Sequence, residues 1–172
     1  MSVALVISPL SNDALRDWPL AHYRALAALA IERLGASVGF VGTAAQRPAV
    51  AAVLGGLPAA NLCGETSWHD LPGLLRGARC VVSNNSGVGH LAASLGAPTV
   101  CVFAASHDPY EWMPRGPRVL TLVKRTDCAP CGIGGLSECG HGHRCLREIG
   151  PETVYAAMRR MWRRDDFRVE AD

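Results

Sequence analysis

Short runs of apolar, often β-branched residues recur along this chain, and stretches with helical spacing lie between them. The runs are Val3 to Ser8, Ser37 to Gly42, Ala60 to Cys63, Cys80 to Ser83, Pro98 to Phe103 and Val119 to Val123. That alternation predicts βα units around a buried parallel sheet. Pro19 fits the first position of a helix, and Tyr23, Leu26, Ala27, Ala30, Ile31 and Leu34 then recur at helical spacing until Gly35. Further helices are expected from Pro48 to Leu54, from Ser67 to Leu75 with Ser67 as cap, and from Gly89 to Leu95. Pro151 opens a last helix, expected over 151–164, with Val154, Met158, Met161 and Trp162 on one side.

A length of 172 residues fits one domain over 1–172, and 49% hydrophobic against 19% charged residues allows a packed core. The net charge of +2 is too balanced for a nucleic-acid binder, and the arginines at 159, 160, 163 and 164 are partly offset by Asp165 and Asp166. No apolar run approaches the roughly 20 residues of a membrane span, so none is expected. The start, MSVALVISPLSND, lacks the basic opening and long apolar stretch of a signal peptide. A cytoplasmic protein is the expectation, and its seven cysteines are then thiols or metal ligands sooner than disulfides. Lys124 is the sole lysine, so nearly every positive charge is a guanidinium, suited to planar oxyanions.

The most informative stretch runs from Val82 to Phe103. A strand ends in Ser83-Asn84-Asn85-Ser86-Gly87 and a helix begins at once. At the carboxyl end of a parallel strand, this sets backbone N–H groups and small hydroxyls around an anion at the positive end of a helix. Gly87 and Gly89 would let a phosphate approach closely, and His90 can donate to a phosphate or sugar oxygen. The same residues also read as a plain helix cap, with His90 a satisfied polar group. The loop from Ser8 to Pro19 follows the first strand and lies on the same edge. There Arg16 is placed to neutralise a diphosphate and Ser11 to donate to it, or else Arg16 pairs with Asp13 or Asp17 in a solvated loop. Glu65 and Asp70, which flank Thr66 and Ser67, can reach a ribose or cap the helix, and capping is the expectation. Asp108 and Glu111 are expected to be solvated or to cap.

Residues 127–146 break the pattern with glycine, histidine and the spacing Cys128-x2-Cys131-x7-Cys139-x5-Cys145. Four thiolates in that compass can hold zinc or iron tetrahedrally, which would order a glycine-rich stretch lacking its own core. Two disulfides, or four unbonded thiols, are the alternatives. With four protein ligands, such a site is structural. Cys63, Cys80 and Cys101 fall in strands as small core residues.

Taken together, these segments resemble the lipopolysaccharide heptosyltransferases, glycosyltransferase family 9. SNNSGVGHLAASLGAPTVCVF is similar to the family signature, LCGETSWHDLPGLLRGARCVVS to the segment before it, and RDWP to the K-x-W-P that opens the family's second half. CAPC…CGHGHRCLREIGPETV resembles the cysteine-bearing tail of the heptosyltransferase II branch. The resemblance, running from about Ile7 to Val154, implies the C-terminal, donor-binding domain of a GT-B glycosyltransferase. Its fold would be a Rossmann-like, doubly wound parallel sheet with a small cysteine-rich module. It implies that Asn85, Ser86, Gly87 and His90 surround the diphosphate and sugar of an ADP-heptose-like donor. Arg16 would replace the family's phosphate-binding lysine, Ser11 would assist, and Thr66 and Ser67 would lie near the nucleoside.

The family inverts the anomeric centre by direct displacement without a catalytic metal, its general base an aspartate of the N-terminal half. That half, as an upstream portion or a separate polypeptide, is the expected partner, since only two residues precede the first strand. Some members carry iron held by cysteines, so zinc or iron at Cys128, Cys131, Cys139 and Cys145 stays an expectation, as does self-association through the face where the partner domain would dock. Asn85 replaces the signature's usual aspartate, and Leu10 stands where glycine is common. Asn85 and the missing general base also suit a non-catalytic module that binds nucleotide or a partner protein.

Overall fold

The computed structural model describes residues 3–162. Six strands form one parallel sheet: β1 (Leu5–Ser8), β2 (Val38–Phe40), β3 (Ala60–Asn61), β4 (Cys80–Asn84), β5 (Thr99–Phe103) and β6 (Val119–Val123). Their spatial order is β3-β2-β1-β4-β5-β6, with every adjacent pair parallel. The parallel sheet of βα units is the one the strand rhythm predicts, and the doubly wound order is the one the resemblance implies. The strands β1, β4 and β5 are buried throughout, whereas the edge strands β3 and β6 are half-buried.

Alternate residues of each central strand enter opposite layers. Leu5 and Ile7 of β1, with Cys80 and Val82 of β4, face a core built with α1 (Leu20–Leu34), α2 (Arg47–Leu54) and α7 (Pro151–Met161). Val6 and Val81 face the other layer, made with α3 (Leu71–Gly77) and α4 (Gly87–Ser94). Trp18 is fully buried in the first core and its Nε1 donates to the Ile149 carbonyl at 2.9 Å, which ties the loop before α1 to the chain entering α7. The α1 helix ends as expected at Gly35, whose φ of 59° lies in the left-handed region.

Other boundaries differ from expectation for local reasons. The third helix starts at Leu71 because Pro72 is tolerated in a first turn but not further in, and Ser67 instead organises the turn before it. The fourth starts at Gly87 rather than Gly89, and the last ends at Met161, so 163–164 of the expected span, with Asp165 and Asp166, lie outside the described residues. A short helix, α5 (Pro109–Trp112), occupies the loop between β5 and β6, capped by Asp108 Oδ1 accepting from Tyr110 N at 2.8 Å. Glu65 pairs with Arg47 at 2.7 Å.

The cysteine segment contains a turn at Leu136–Glu138 and the short helix α6 (Arg144–Arg147). Its Leu146 is wholly buried in the principal core, so the segment packs onto the sheet domain and does not enclose a core of its own. All seven cysteines are free thiols, and no disulfide links them. No helix among the described residues is long and apolar enough to cross a membrane.

Candidate functional site

The order of the strands reverses between β1 and β4, so the loops leaving their carboxyl ends run to opposite faces and open a crevice between them. A cleft of about 420 Å³ occupies that place, within the range of small-molecule sites. One wall is the loop after β1, with Leu10, Ser11 and Arg16; the floor is Ser86, Gly87 and Val88 at the start of α4. Gly42, Thr43 and Gln46 after β2, with Thr66 and Trp68 after β3, form the far wall. Among these lining residues there is one guanidinium and no carboxylate. The cleft is therefore set for an anion.

The floor supplies hydrogen-bond donors that the protein itself leaves unused. The first amides of a helix have no intrahelical partner and carry the positive end of its dipole. Ser86 stands extended just before α4 and caps nothing; its Oγ is buried without a partner. Gly87 is exposed, with open space where a Cβ would point, so a ligand can approach its backbone. Gly89 has a different purpose: a Cβ there would come within 2.4 Å of Ser83 Oγ, so the glycine lets α4 lie close on β4.

Arg16 reaches toward this floor from the opposite wall. Its Nη1 is 3.5 Å from the Asn85 carbonyl, and its Nε is 3.5 Å from Asp13 Oδ2. The local pair with Asp13 is thus formed, and the guanidinium also stands on the cleft wall. Asp17 takes no part in that pair. Its Oδ1 accepts from Ser11 N at 2.8 Å, Ser11 Oγ at 2.8 Å and Asn84 Nδ2 at 2.6 Å. Burial pushes its carboxyl up from the ordinary value, against those hydrogen bonds and the Arg16 charge. Ser11 therefore spends its hydroxyl inside the loop, holding the cleft wall in shape.

His90 lies one turn into α4, beside the cleft rather than in its lining, and its Nε2 is 3.1 Å from Asn85 Oδ1. Burial pushes the His90 imidazole below its ordinary value, which favours the neutral ring at neutral pH. Thr66 lines the cleft, but Ser67 does not: its Oγ donates to Asp70 Oδ2 at 2.6 Å and accepts from His69 N and Asp70 N. Trp68, the next residue, stands on the wall with 73% of its surface exposed. Sequence reasoning passed over Trp68 and the role of Asp17. An aromatic directly after the Thr66-Ser67 pair was the available signal for the first; for the second there was none, because its partner Asn84 is 67 residues away.

The four cysteines at 128, 131, 139 and 145 converge on one cavity of about 10 Å³, shared with His141, His143 and Leu15. As placed, no three Cys, His, Asp or Glu side chains among the described residues are disposed to share an ion. The Cys145 thiol is pushed up by burial first and by the neighbouring sulfurs next.

Residues 2–134 match the model of glycosyltransferase family 9 (heptosyltransferase). Over 117 residues, 67% of this chain and 32% of its relative, the sequence is 34% identical to lipopolysaccharide heptosyltransferase 1 of Pseudomonas aeruginosa. Three solved structures share the fold. They are the ADP-heptose lipopolysaccharide heptosyltransferase II of Escherichia coli (TM-score 0.77, 24% identity, covering 93% of this chain and 46% of that one), the E. coli heptosyltransferase WaaC with ADP (0.71, 20%, 93% and 44%), and the iron-containing dodecameric glycosyltransferase TibC of enterotoxigenic E. coli (0.70, 17%, 94% and 46%). The chain spans under half the length of each of these proteins.

Proposed function

Because this chain belongs to glycosyltransferase family 9, we propose that its cleft binds the diphosphate of a nucleotide-linked sugar and that the chain acts as the donor-binding part of a heptosyltransferase-like enzyme. The observation that carries this reading is the cleft lining itself. A single guanidinium from the β1 loop faces the start of α4, Ser86 Oγ has no internal partner, and no carboxylate is among the lining residues, Asp13 pairing with Arg16 from outside them. Arg16 and the α4 amides would hold the two phosphates between them. As the bond from the sugar's anomeric carbon to phosphate breaks, the same groups would offset the charge gathering on the leaving diphosphate. The exposed indole of Trp68 would meet the nucleobase, with Thr66 beside it. ADP is the nucleotide we favour, since WaaC is described with ADP and a second structural neighbour as an ADP-heptose enzyme. The acceptor and the general base would come from an N-terminal domain or polypeptide, and the whole would work in the cytoplasm.

A nucleotide panel tests the reading. ADP is expected to bind more tightly than AMP, which lacks the second phosphate, and more tightly than UDP. Equal binding of AMP and ADP would argue against a diphosphate cradle.

We also propose that Cys128, Cys131, Cys139 and Cys145 hold a structural zinc or iron. The donor type suits such an ion: four soft sulfurs are among the residues lining one small cavity, and TibC is an iron-containing glycosyltransferase, although binding would need the side chains to draw closer than they stand. Bound there, the metal would cross-link a segment poor in apolar residues, with no part in the transfer. Elemental analysis of protein purified without added metal is expected to give about one zinc or iron per chain; a metal-free, fully folded protein would refute the site.

A further inference from the structure

His143 sits in the cysteine segment, far in sequence from the cleft, yet it touches the turn that carries Arg16. Its ring Nε2 lies 2.8 Å from the Leu15 carbonyl, across 128 residues of chain. A carbonyl only accepts, so the ring must carry its proton on Nε2 and donate it. The residue is buried, with 8% of its surface exposed, and its backbone N–H donates to Cys139 Sγ at 3.3 Å. Its φ of 57° is the sole positive value among the described non-glycine residues. A side chain seldom occupies that region unless neighbouring structure holds it there.

Leu15 lies in the middle of the turn Ala14–Arg16, and its own buried side chain lines the cysteine cavity. The turn has few bonds of its own: Arg16 N donates to Asp13 O at 2.9 Å, Asp17 N to Ala14 O at 3.2 Å, and Leu15 N to Asp13 Oδ1 at 2.9 Å. Each of these spans no more than three residues and stays within the loop. Asp17 and the Arg16 guanidinium tie the far side of the turn to the end of β4, through Asn84 and the Asn85 carbonyl, and the His143 bond ties its middle to the cysteine segment.

We propose that His143 is a positioning residue: it fixes the Arg16 turn against the cysteine segment and so sets the guanidinium at the cleft wall. It touches no ligand. A side chain held at the residue next to Arg16 limits the rotation of that turn and hence the arc the guanidinium can sweep. The cysteine segment thereby gains a role in the site without lining it.

The test has two arms, and only the second rests on the diphosphate reading. His143→Asn keeps a residue type that tolerates a positive φ, but its amide is one bond too short to reach Leu15. His143→Gln places an amide at the reach of the ring nitrogen. In the first arm, hydrogen exchange of the ligand-free chain is followed at the Arg16 and Asp17 amides. His143→Asn is expected to raise their rates about tenfold or more while α1 is unchanged, and His143→Gln to restore part of the protection. Unchanged exchange at these amides, or loss of protection throughout α1 as well, would overturn the proposal.

In the second arm, ADP affinity is measured for His143→Asn alone and on top of Arg16→Ala. His143→Asn is expected to weaken ADP about three- to tenfold by itself and to have no further effect once Arg16 is gone. An equal loss in both backgrounds would show that His143 does not act through Arg16. Absence of ADP binding by the unmodified chain would count against the diphosphate reading alone, because the exchange arm reads the His143 clamp without ligand.

Discussion

Asn84 Nδ2 donates to Asp17 Oδ1 across 2.6 Å, and this bond joins the end of β4 to the loop after β1. The same Nδ2 also donates to the Pro9 carbonyl at 3.3 Å, and Ser11 adds its N–H and hydroxyl to the carboxylate. The two loops that flank the cleft are therefore knit together by one half-buried carboxylate. A crevice between diverging loops would otherwise be free to widen.

Asp17→Asn tests the charge in that knot. Burial holds the Asp17 carboxyl above its ordinary 3.8, so the folded chain keeps this proton more tightly than the unfolded one. A raised value contributes stability that is complete below 3.8 and is lost as pH rises through the folded value. Asparagine removes the titration yet keeps an oxygen for the same donors. Urea unfolding of both proteins from about pH 3 to about pH 7 should show the variant gaining on wild type as pH rises, then running parallel. A gain on acidification instead would mean that the bonds from Ser11 and Asn84 outweigh burial.

The two signature glycines are expected to respond differently to alanine. Gly89→Ala drives a Cβ to within 2.4 Å of Ser83 Oγ and should cost roughly 1–3 kcal/mol in chemical unfolding. Gly87→Ala points into open space and should change stability by about 0.5 kcal/mol or less, while weakening ADP. Equal destabilisation by both would contradict the division between packing and ligand approach.

Trp68 is exposed enough that its removal should leave the fold almost untouched, within about 0.5 kcal/mol. Its loss should appear in binding. Stacking of a base on an aromatic ring contributes roughly 1–3 kcal/mol, so Trp68→Ala should weaken ADP about fivefold or more and Trp68→Phe much less. Titrations against ADP and against pyrophosphate separate the cases, since pyrophosphate has no base and should bind both variants like wild type. A similar loss for pyrophosphate would show that Trp68 does not meet the nucleobase.

Much of the fold could be read from local pattern. The strand from Val119 to Val123 and the stop at Gly35 fall where apolar runs and glycine place them. The α5 helix could not be read, because four residues opening on Asp108-Pro109 are too few to show a helical period. At the cleft, Arg16, Ser86 and Gly87 were marked by their position just after strands, which is where a parallel sheet places its ligands, and Thr66 by the family resemblance. Ser67 and Trp68 were harder to separate: both follow β3, and only the turn geometry shows that Ser67 is occupied by Asp70 while the indole faces the opening. Contacts such as His143 to Leu15 join residues 128 apart, and no local spacing encodes them.

Calorimetric titration of the chain with ADP, with and without Arg16, tests the diphosphate cradle most directly. Wild type should bind ADP with an affinity that falls as salt is raised from about 50 to about 200 mM. Arg16→Ala should lose about ten- to a hundredfold, the span of one charge-assisted hydrogen bond, and most of the salt dependence with it. Binding that is equally tight and equally salt-sensitive without the guanidinium, or no heat with ADP at all, would contradict the assignment of this cleft to a nucleotide diphosphate.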